Sequence, residues 1–374
     1  MKNKIFVWLF VIVIGGFGLW NCFKSDEKYS MSERRKLEQM PELTWDNLRS
    51  GSFMDDFEDY TQDQFVGREA FRTVKAVSEI YGFQKLDNND IYVVDGYASA
   101  LEYPLNEDSL LNAAEKFSQI ADKYLTENNQ VYLSIIPDKN YFLAEENGYL
   151  SMDYEELFSI MQEQTSFMEY IDITNLLGLE DYYKTDTHWK QENLLDVAAF
   201  LAEYMNKDNS VQADKNILDD VNSNDFKEIV ANEQFYGVYA GQSALPLQAD
   251  TLICLDSPLL QQCKVYDYQN QRECNVYDLK SANGKDPYAV FLSGDISLLT
   301  IENPTGQTGK ELIIFRDSFG SSIAPLLMKY YDKITLVDIR YLPSNQLDKY
   351  IEFQGQDVLF LYSTLVLNHS ETLK

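Results

Sequence analysis

Leu312-Ile313-Ile314-Phe315-Arg316-Asp317-Ser318-Phe319-Gly320 decides the fold. Residues 311–315 end in four consecutive large apolar side chains, the pattern of a strand buried on both faces, as in a parallel sheet. The run breaks at Arg316-Asp317, and 319–331 reads as a helix. A serine at that break presents its hydroxyl at the edge of the sheet. The N–H groups of the turn behind it face the place where an oxyanion would develop, and Gly320 permits the tight backbone. The competing reading is a plain helix cap, with Asp317 or Ser318 satisfying the first free N–H groups. The segment is not G-x-S-x-G, so it does not match the α/β-hydrolase elbow.

Outward from this segment, helix and strand patterns alternate. Residues 109–125 carry an apolar stripe at helical spacing: Leu110, Ala113, Ala114, Phe117, Ile120, Ala121 and Tyr124. A strand is expected at 131–136, ending at Pro137, then a helix at 154–168 and a short strand at 170–173. A strongly amphipathic helix follows at 191–205, and further strands are expected at 334–339 and 358–362. This order predicts an α/β domain with a mostly parallel sheet covered on both faces, and sites at the C-terminal ends of its strands. Residues 206–305, rich in Asp, Asn and Gln with short strands, read as a loop-rich insertion. The domain is expected to span 106–374.

The second chemistry-bearing segment is Tyr183-Lys184-Thr185-Asp186-Thr187-His188-Trp189. The chain has only two histidines, His188 and His369. A histidine base therefore points to His188. Asp186 lies two residues before it, and in an extended loop both side chains leave on the same side. Asp186 can then accept a hydrogen bond from the ring and fix its tautomer, leaving the other nitrogen for a serine. The competing reading is a capped helix start with a packed, satisfied histidine.

The N-terminus is read apart from the fold. Lys2 and Lys4 precede an apolar run from Ile5 to Trp20, close to the shortest length that spans a bilayer. Lysines on that side favour a cytoplasmic N-terminus. Residues 1–24 are expected to be an uncleaved anchor, with a cleaved signal peptide as the rival. Residues 25–105 then form a stalk and N-terminal extension carrying an aromatic helical stripe from Phe57 to Val74.

A net charge of −29 and an isoelectric point near 4.3 exclude nucleic acid as a general partner. They also favour a neutral or weakly charged substrate over a polyanion. Lys139, Arg316 and Arg340 are the cations expected near the site. Cys254, Cys263 and Cys274 allow one disulfide outside the membrane. No Cys/His cluster suggests zinc, and no metal or cofactor is expected.

The segments Thr185-Asp186-Thr187-His188-Trp189 and Arg316-Asp317-Ser318-Phe319-Gly320 resemble the DHHW protein family. They also resemble the related catalytic domains of AlgX- and AlgJ-type alginate O-acetyltransferases, which are SGNH-hydrolase-like. Met31-Ser32-Glu33-Arg34, Asp63-Gln64-Phe65-Val66-Gly67-Arg68, Ile136-Pro137-Asp138-Lys139 and Val337-Asp338-Ile339-Arg340-Tyr341 are further family-like segments. Thr187 departs from the family's name, which has a histidine there. The resemblance implies an SGNH-like three-layer α/β/α domain outside the membrane, with Asp186, His188 and Ser318 as a catalytic triad. It further implies O-acetyl transfer to, or removal from, a cell-surface or secreted polysaccharide, with a membrane-bound O-acyltransferase partner supplying acetyl groups. Asn140 and the N–H groups of Ser318 and Phe319 are candidate oxyanion donors; Lys139 and Arg316 are candidate site-lining residues. A non-catalytic binding or scaffold protein of an envelope polysaccharide assembly is the alternative from another class.

Overall fold

The computed structural model describes residues 2–206 and 225–374. Contacts divide the chain into two units, Met1–Ile91 with Ala240–Leu247, and Tyr92–Tyr239 with Gln248–Lys374. The first unit opens with a helix over Lys2–Phe23. Its segment Lys4–Phe23 has a mean hydropathy of 2.1, is not buried, and is long and apolar enough to cross a membrane. A signal sequence passes the same test. Helices Ser52–Asp63 and Arg68–Val77 carry Phe57, Tyr60, Phe71 and Val74 of the expected stripe, and Phe65 lies in the turn between them. The 25–52 stretch is tied to them by ion pairs from Arg35 to Asp63 and from Glu33 to Arg68 and Arg72.

The second unit is built on an eight-stranded sheet. Its strands are β1 (Val131–Ile136), β2 (Glu169–Tyr170), β5 (Lys264–Asp267), β6 (Arg272–Cys274), β7 (Leu298–Glu302), β8 (Glu311–Arg316), β9 (Lys333–Val337) and β10 (Asp357–Ser363). β3 (Lys227–Phe235) and β4 (Asp250–Asp256) form a separate antiparallel pair. The order across the large sheet is β6-β5-β7-β9-β8-β10-β1-β2. The five strands from β9 to β2 are parallel, and β7, β5 and β6 extend the sheet antiparallel.

Strand alternation divides the core into two faces. Leu312, Ile314, Leu359 and Leu361 pack on one side with helices α4 (Leu195–Asn206) and α5 (Gly320–Leu327). Ile313, Phe315, Val358 and Phe360 pack on the other with α1 (Glu107–Tyr124) and α3 (Tyr154–Gln164). Helices α1 and α3 start at capping side chains, Asn106 and Asp153, each accepting an N–H one turn on. The result is the expected three-layer α/β/α architecture with a mostly parallel sheet.

Several expectations need adjustment. The 206–305 stretch is not mere insertion: its described residues supply β5, β6 and β7 of the large sheet, and the β3–β4 pair. Residues 207–224 of that stretch lie outside the described residues. The expected strand at 170–173 pairs only at Glu169–Tyr170, because Asp172 turns to accept the Thr174 N–H at 2.9 Å. The three cysteines outside the N-terminal helix are all free, so the allowed disulfide does not form.

Candidate active site

The sheet order places the C-terminal ends of β8, β10 and β1 side by side, and each carries a polar turn: Asp317-Ser318, Ser363-Thr364 and Asp138-Lys139. At the end of β8, Asp317 is fully buried. Its Oδ1 accepts the Phe319 N–H at 2.9 Å, and its Oδ2 accepts the Ser363 N–H and hydroxyl at 2.8 and 2.6 Å. Asp317 therefore stitches the turn to β10. The first residue before α5 is Phe319, which has no side-chain cap. Asp317 thus satisfies the first free N–H as the cap reading expects and also ties the turn to β10, whereas the Ser318 hydroxyl is left for His188. Gly320 is required by space: a Cβ there would sit 2.7 Å from the Arg316 Cβ. Ser318 alone in this turn is partly exposed.

The loop bearing Asp186 and His188 is closed by an antiparallel bridge between Tyr182 and Trp189 and by the Tyr183 N–H bond to the His188 carbonyl, 3.1 Å. Asp250, at the start of β4, accepts the N–H groups of Lys184 and Thr185 at 2.9 and 2.8 Å and the Thr185 hydroxyl at 2.6 Å. Held this way, the loop turns Asp186 inward, where it is fully buried. Its Oδ1 lies 2.5 Å from His188 Nδ1, and its Oδ2 accepts the Val238 N–H at 2.9 Å. Gly237 makes that approach possible, since a Cβ there would fall 2.3 Å from the Asp186 Cα.

His188 Nε2 lies 2.8 Å from Ser318 Oγ. A carboxylate at Nδ1 keeps the proton on that nitrogen and leaves Nε2 as acceptor of the serine O–H. Carboxylate, imidazole and hydroxyl thus form one hydrogen-bonded chain, buried at the carboxylate end and open at the serine. Such a chain can withdraw a proton from the hydroxyl as it attacks a carbonyl. The imidazole is flanked by Tyr288, stacked at 3.7 Å between centroids with 8° between planes, and by Phe319 at 4.9 Å.

The polar groups of the other expected site residues are engaged elsewhere. Lys139, the first residue of helix α2 (Lys139–Asn147), is buried. Its Nζ donates to the Tyr183 and Lys184 carbonyls at 2.8 and 3.3 Å, so it braces the Asp186 loop from below. Burial pushes its pKa down to about 7 against the opposing pull of Asp186, Asp250 and Asp138. Arg316 is fully buried, donates to the Asp317 and Ile296 carbonyls, and faces Asp338 at 3.6 Å. Arg340 closes on the same Asp338 at 2.7 Å. All three expected cations are therefore spoken for. Asn140 accepts from the Tyr92 hydroxyl at 2.9 Å, and its own N–H goes to Asp138. The Phe319 N–H is taken by Asp317. Of the expected oxyanion donors, the Ser318 N–H has no acceptor among the described residues.

Sequence reasoning missed Val238, Gly237, Asp250 and Tyr288. Val238 acts through its backbone N–H, Gly237 through absent bulk and Asp250 by accepting backbone N–H groups of a distant loop, none of which leaves a motif, and Tyr288 is far in sequence from the His188 ring it stacks on. A cleft of about 680 Å³ lies at the opposite ends of the strands, lined by Glu311, Lys333 and Asp357, and contains none of these residues. Sites on sheets of this kind form at the C-terminal ends, where Ser318 is.

The fold and this geometry define an α/β protein with a serine–imidazole–carboxylate chain at its sheet edge. Solved structures bear out the fold. A DHHW family protein from Eubacterium siraeum matches over 76% of this chain and 95% of its own, at 20% identity and a TM-score of 0.58. Bacillus cereus PatB1, solved with a sulfonyl adduct, matches over 74% and 95%, at 17% identity and a TM-score of 0.56. The O-acetyltransferase domain of Pseudomonas putida AlgJ is a looser match, at 12% identity and 0.44 over 74% of this chain and 92% of its own. No family profile and no curated protein sequence matches. At such identities the likeness speaks to fold, and the chemistry rests on the side chains.

Proposed function

We propose that this chain is an extracytoplasmic, serine-dependent O-acetyltransferase or acetylesterase acting on a cell-surface or secreted polysaccharide. The observation that carries the proposal is the continuous chain Asp186–His188–Ser318, with contacts of 2.5 and 2.8 Å. Ser318 Oγ attacks the acetyl carbonyl while its proton passes to His188 Nε2. Asp186 holds the Nδ1 proton and stabilises the imidazolium. The Ser318 N–H supports the oxyanion. The tetrahedral species collapses, the donor's oxygen leaves with the proton from Nε2, and acetyl remains on Ser318. A sugar hydroxyl then attacks the acetyl-serine, giving its proton to Nε2, and the serine oxygen recovers that proton as it leaves. Water in place of the sugar makes the same residues an esterase.

The acetyl group and the polysaccharide follow from the family resemblance. The apolar N-terminal helix with its lysine flank supports the outside location. With the anchor uncleaved, the catalytic unit works where acetyl-CoA is absent, so a membrane-bound O-acyltransferase partner relays the acetyl group. The acceptor is neutral or weakly charged, because the chain carries −29 and the cations near the site are already engaged.

The test is hydrolysis of an activated phenyl acetate by the detergent-solubilised full-length protein. Wild type turns it over slowly and Ser318→Ala does not. Equal rates for both would remove the enzyme reading and leave a binding or scaffold role.

A further inference from the structure

We infer that Tyr288 is a positioning residue for this chemistry: its ring is the platform that holds the His188 imidazole flat between Asp186 and Ser318. The inference rests on the acyl-transfer reading above. In-plane hydrogen bonds alone do not fix the ring. Asp186 holds Nδ1 and Ser318 holds Nε2. Rotation about the line joining those two nitrogens leaves both distances unchanged while tilting the ring and bending both hydrogen bonds away from linearity. The Cγ–Cβ bond resists part of that tilt, and packing against the two ring faces resists the rest. Tyr288 lies parallel to the imidazole, 3.7 Å between centroids and 8° between planes, and Phe319 closes the other side at 4.9 Å and 51°.

The platform is itself anchored. Tyr288 is buried, and its phenol donates to Ser322 Oγ at 2.8 Å. The same oxygen accepts the Trp189 indole N–H at 2.8 Å, and its own proton reaches the Phe319 carbonyl at 3.2 Å. Trp189 follows His188 and Phe319 follows Ser318 in the chain. One hydroxyl therefore registers the platform, the imidazole loop and the serine turn together. When the imidazole takes the serine proton, the resulting cation forms over the face of the phenol ring, where the ring's quadrupole attracts it. The platform thus favours the transition state over the resting site.

The experiment compares wild type, Tyr288→Phe and Tyr288→Leu in the full-length protein. Tyr288→Phe keeps the ring and should hold kcat within about threefold. Tyr288→Leu should lower kcat by about ten- to a hundredfold with KM unchanged, the size of a buried cation–π contact. A spectroscopic readout stands even where the leucine variant fails to fold. The chain has two histidines, and the imidazole protons of His188 should resonate upfield of those of the exposed His369 in wild type and Tyr288→Phe, through the ring current of the stacked partner. Unshifted His188 signals would overturn the inference. So would a Tyr288→Phe loss as large as the leucine loss, which would assign the effect to the Ser322 bond. If Ser318→Ala abolishes activity while Tyr288→Leu leaves kcat intact, the platform fails alone; if Ser318→Ala is fully active, the acyl-transfer reading fails first.

Discussion

Replacing Asp186 by asparagine changes one atom and should remove almost all turnover. The carboxylate faces two different donors: His188 Nδ1 at 2.5 Å on Oδ1, and the Val238 N–H at 2.9 Å on Oδ2. Oδ1 also accepts the His188 backbone N–H at 3.2 Å. An amide has a single oxygen. If that oxygen stays on Val238, the NH₂ group faces Nδ1 and drives the ring proton to Nε2. Nε2 then donates to Ser318 and can no longer take its proton. If the amide flips, its NH₂ opposes the half-buried Val238 N–H, which costs about 1–3 kcal/mol for the unmatched donors. The first arrangement gives up the longer bond, from the His188 backbone N–H at 3.2 Å, whereas the flip gives up the Val238 bond at 2.9 Å, so the first is the cheaper and the wrong tautomer dominates. In serine-protease triads the matched change lowers kcat by about 10⁴-fold. Here a loss of about 10³- to 10⁴-fold is expected, with KM little altered and the fold intact. Steady-state hydrolysis of an activated acetyl ester measures it. A variant within about tenfold of wild type would refute the assigned tautomer and with it the role of Asp186.

Two further changes probe the supports. Gly237→Ala places a Cβ 2.3 Å from the Asp186 Cα, against backbone that cannot yield as a flexible side chain would. It should cost about 2–3 kcal/mol of stability and at least about tenfold in kcat, read by thermal unfolding and ester hydrolysis; an unaffected variant would show that the Gly237–Asp186 contact is not tight. Glu192 concerns pH: burial raises its pKa to about 7, and its Oε2 has no hydrogen-bond partner. The folded state then holds a proton that the unfolded state releases near pH 4.5, so this group's contribution to stability falls as pH rises from about 4.5 to 7 and stays lost above that. Glu192→Gln should therefore gain on the order of 1–2 kcal/mol above about pH 7, after allowing for partial exposure, and less at pH 5. Melting curves at pH 5 and 8 check it, and an unchanged difference between the two would count against the assignment.

The strands legible in the sequence were those with apolar residues on both faces. Leu312 to Phe315 feeds two opposite cores, so no period need be guessed. β5 and β6 were hard to read because they are short and expose residues such as Lys264, Tyr266, Arg272 and Glu273, and β6 is the edge of the sheet. The helix expected at 319–331 stops at Leu327: Pro325 lacks an N–H, and Met328 and Tyr330 close tighter turns onto the Pro325 and Leu327 carbonyls. At the site, the Asp-x-His spacing and the strand-to-helix serine were visible as residue types. Their meeting across 130 positions was not, because it depends on the order in which β8, β10 and β1 lie side by side. Lys139 and Arg316 were visible as charges, but only the packing shows that both point into carbonyls.

The measurement closest to the central claim is peptide mass spectrometry of protein mixed with an activated acetyl ester and quenched in acid before deacylation. The account predicts one acetyl group on the hydroxyl of Ser318 in wild type, none on that peptide in Ser318→Ala, and strongly slowed labelling in His188→Ala. Turnover of the ester with acetyl absent from Ser318, or equal labelling without His188, would contradict it.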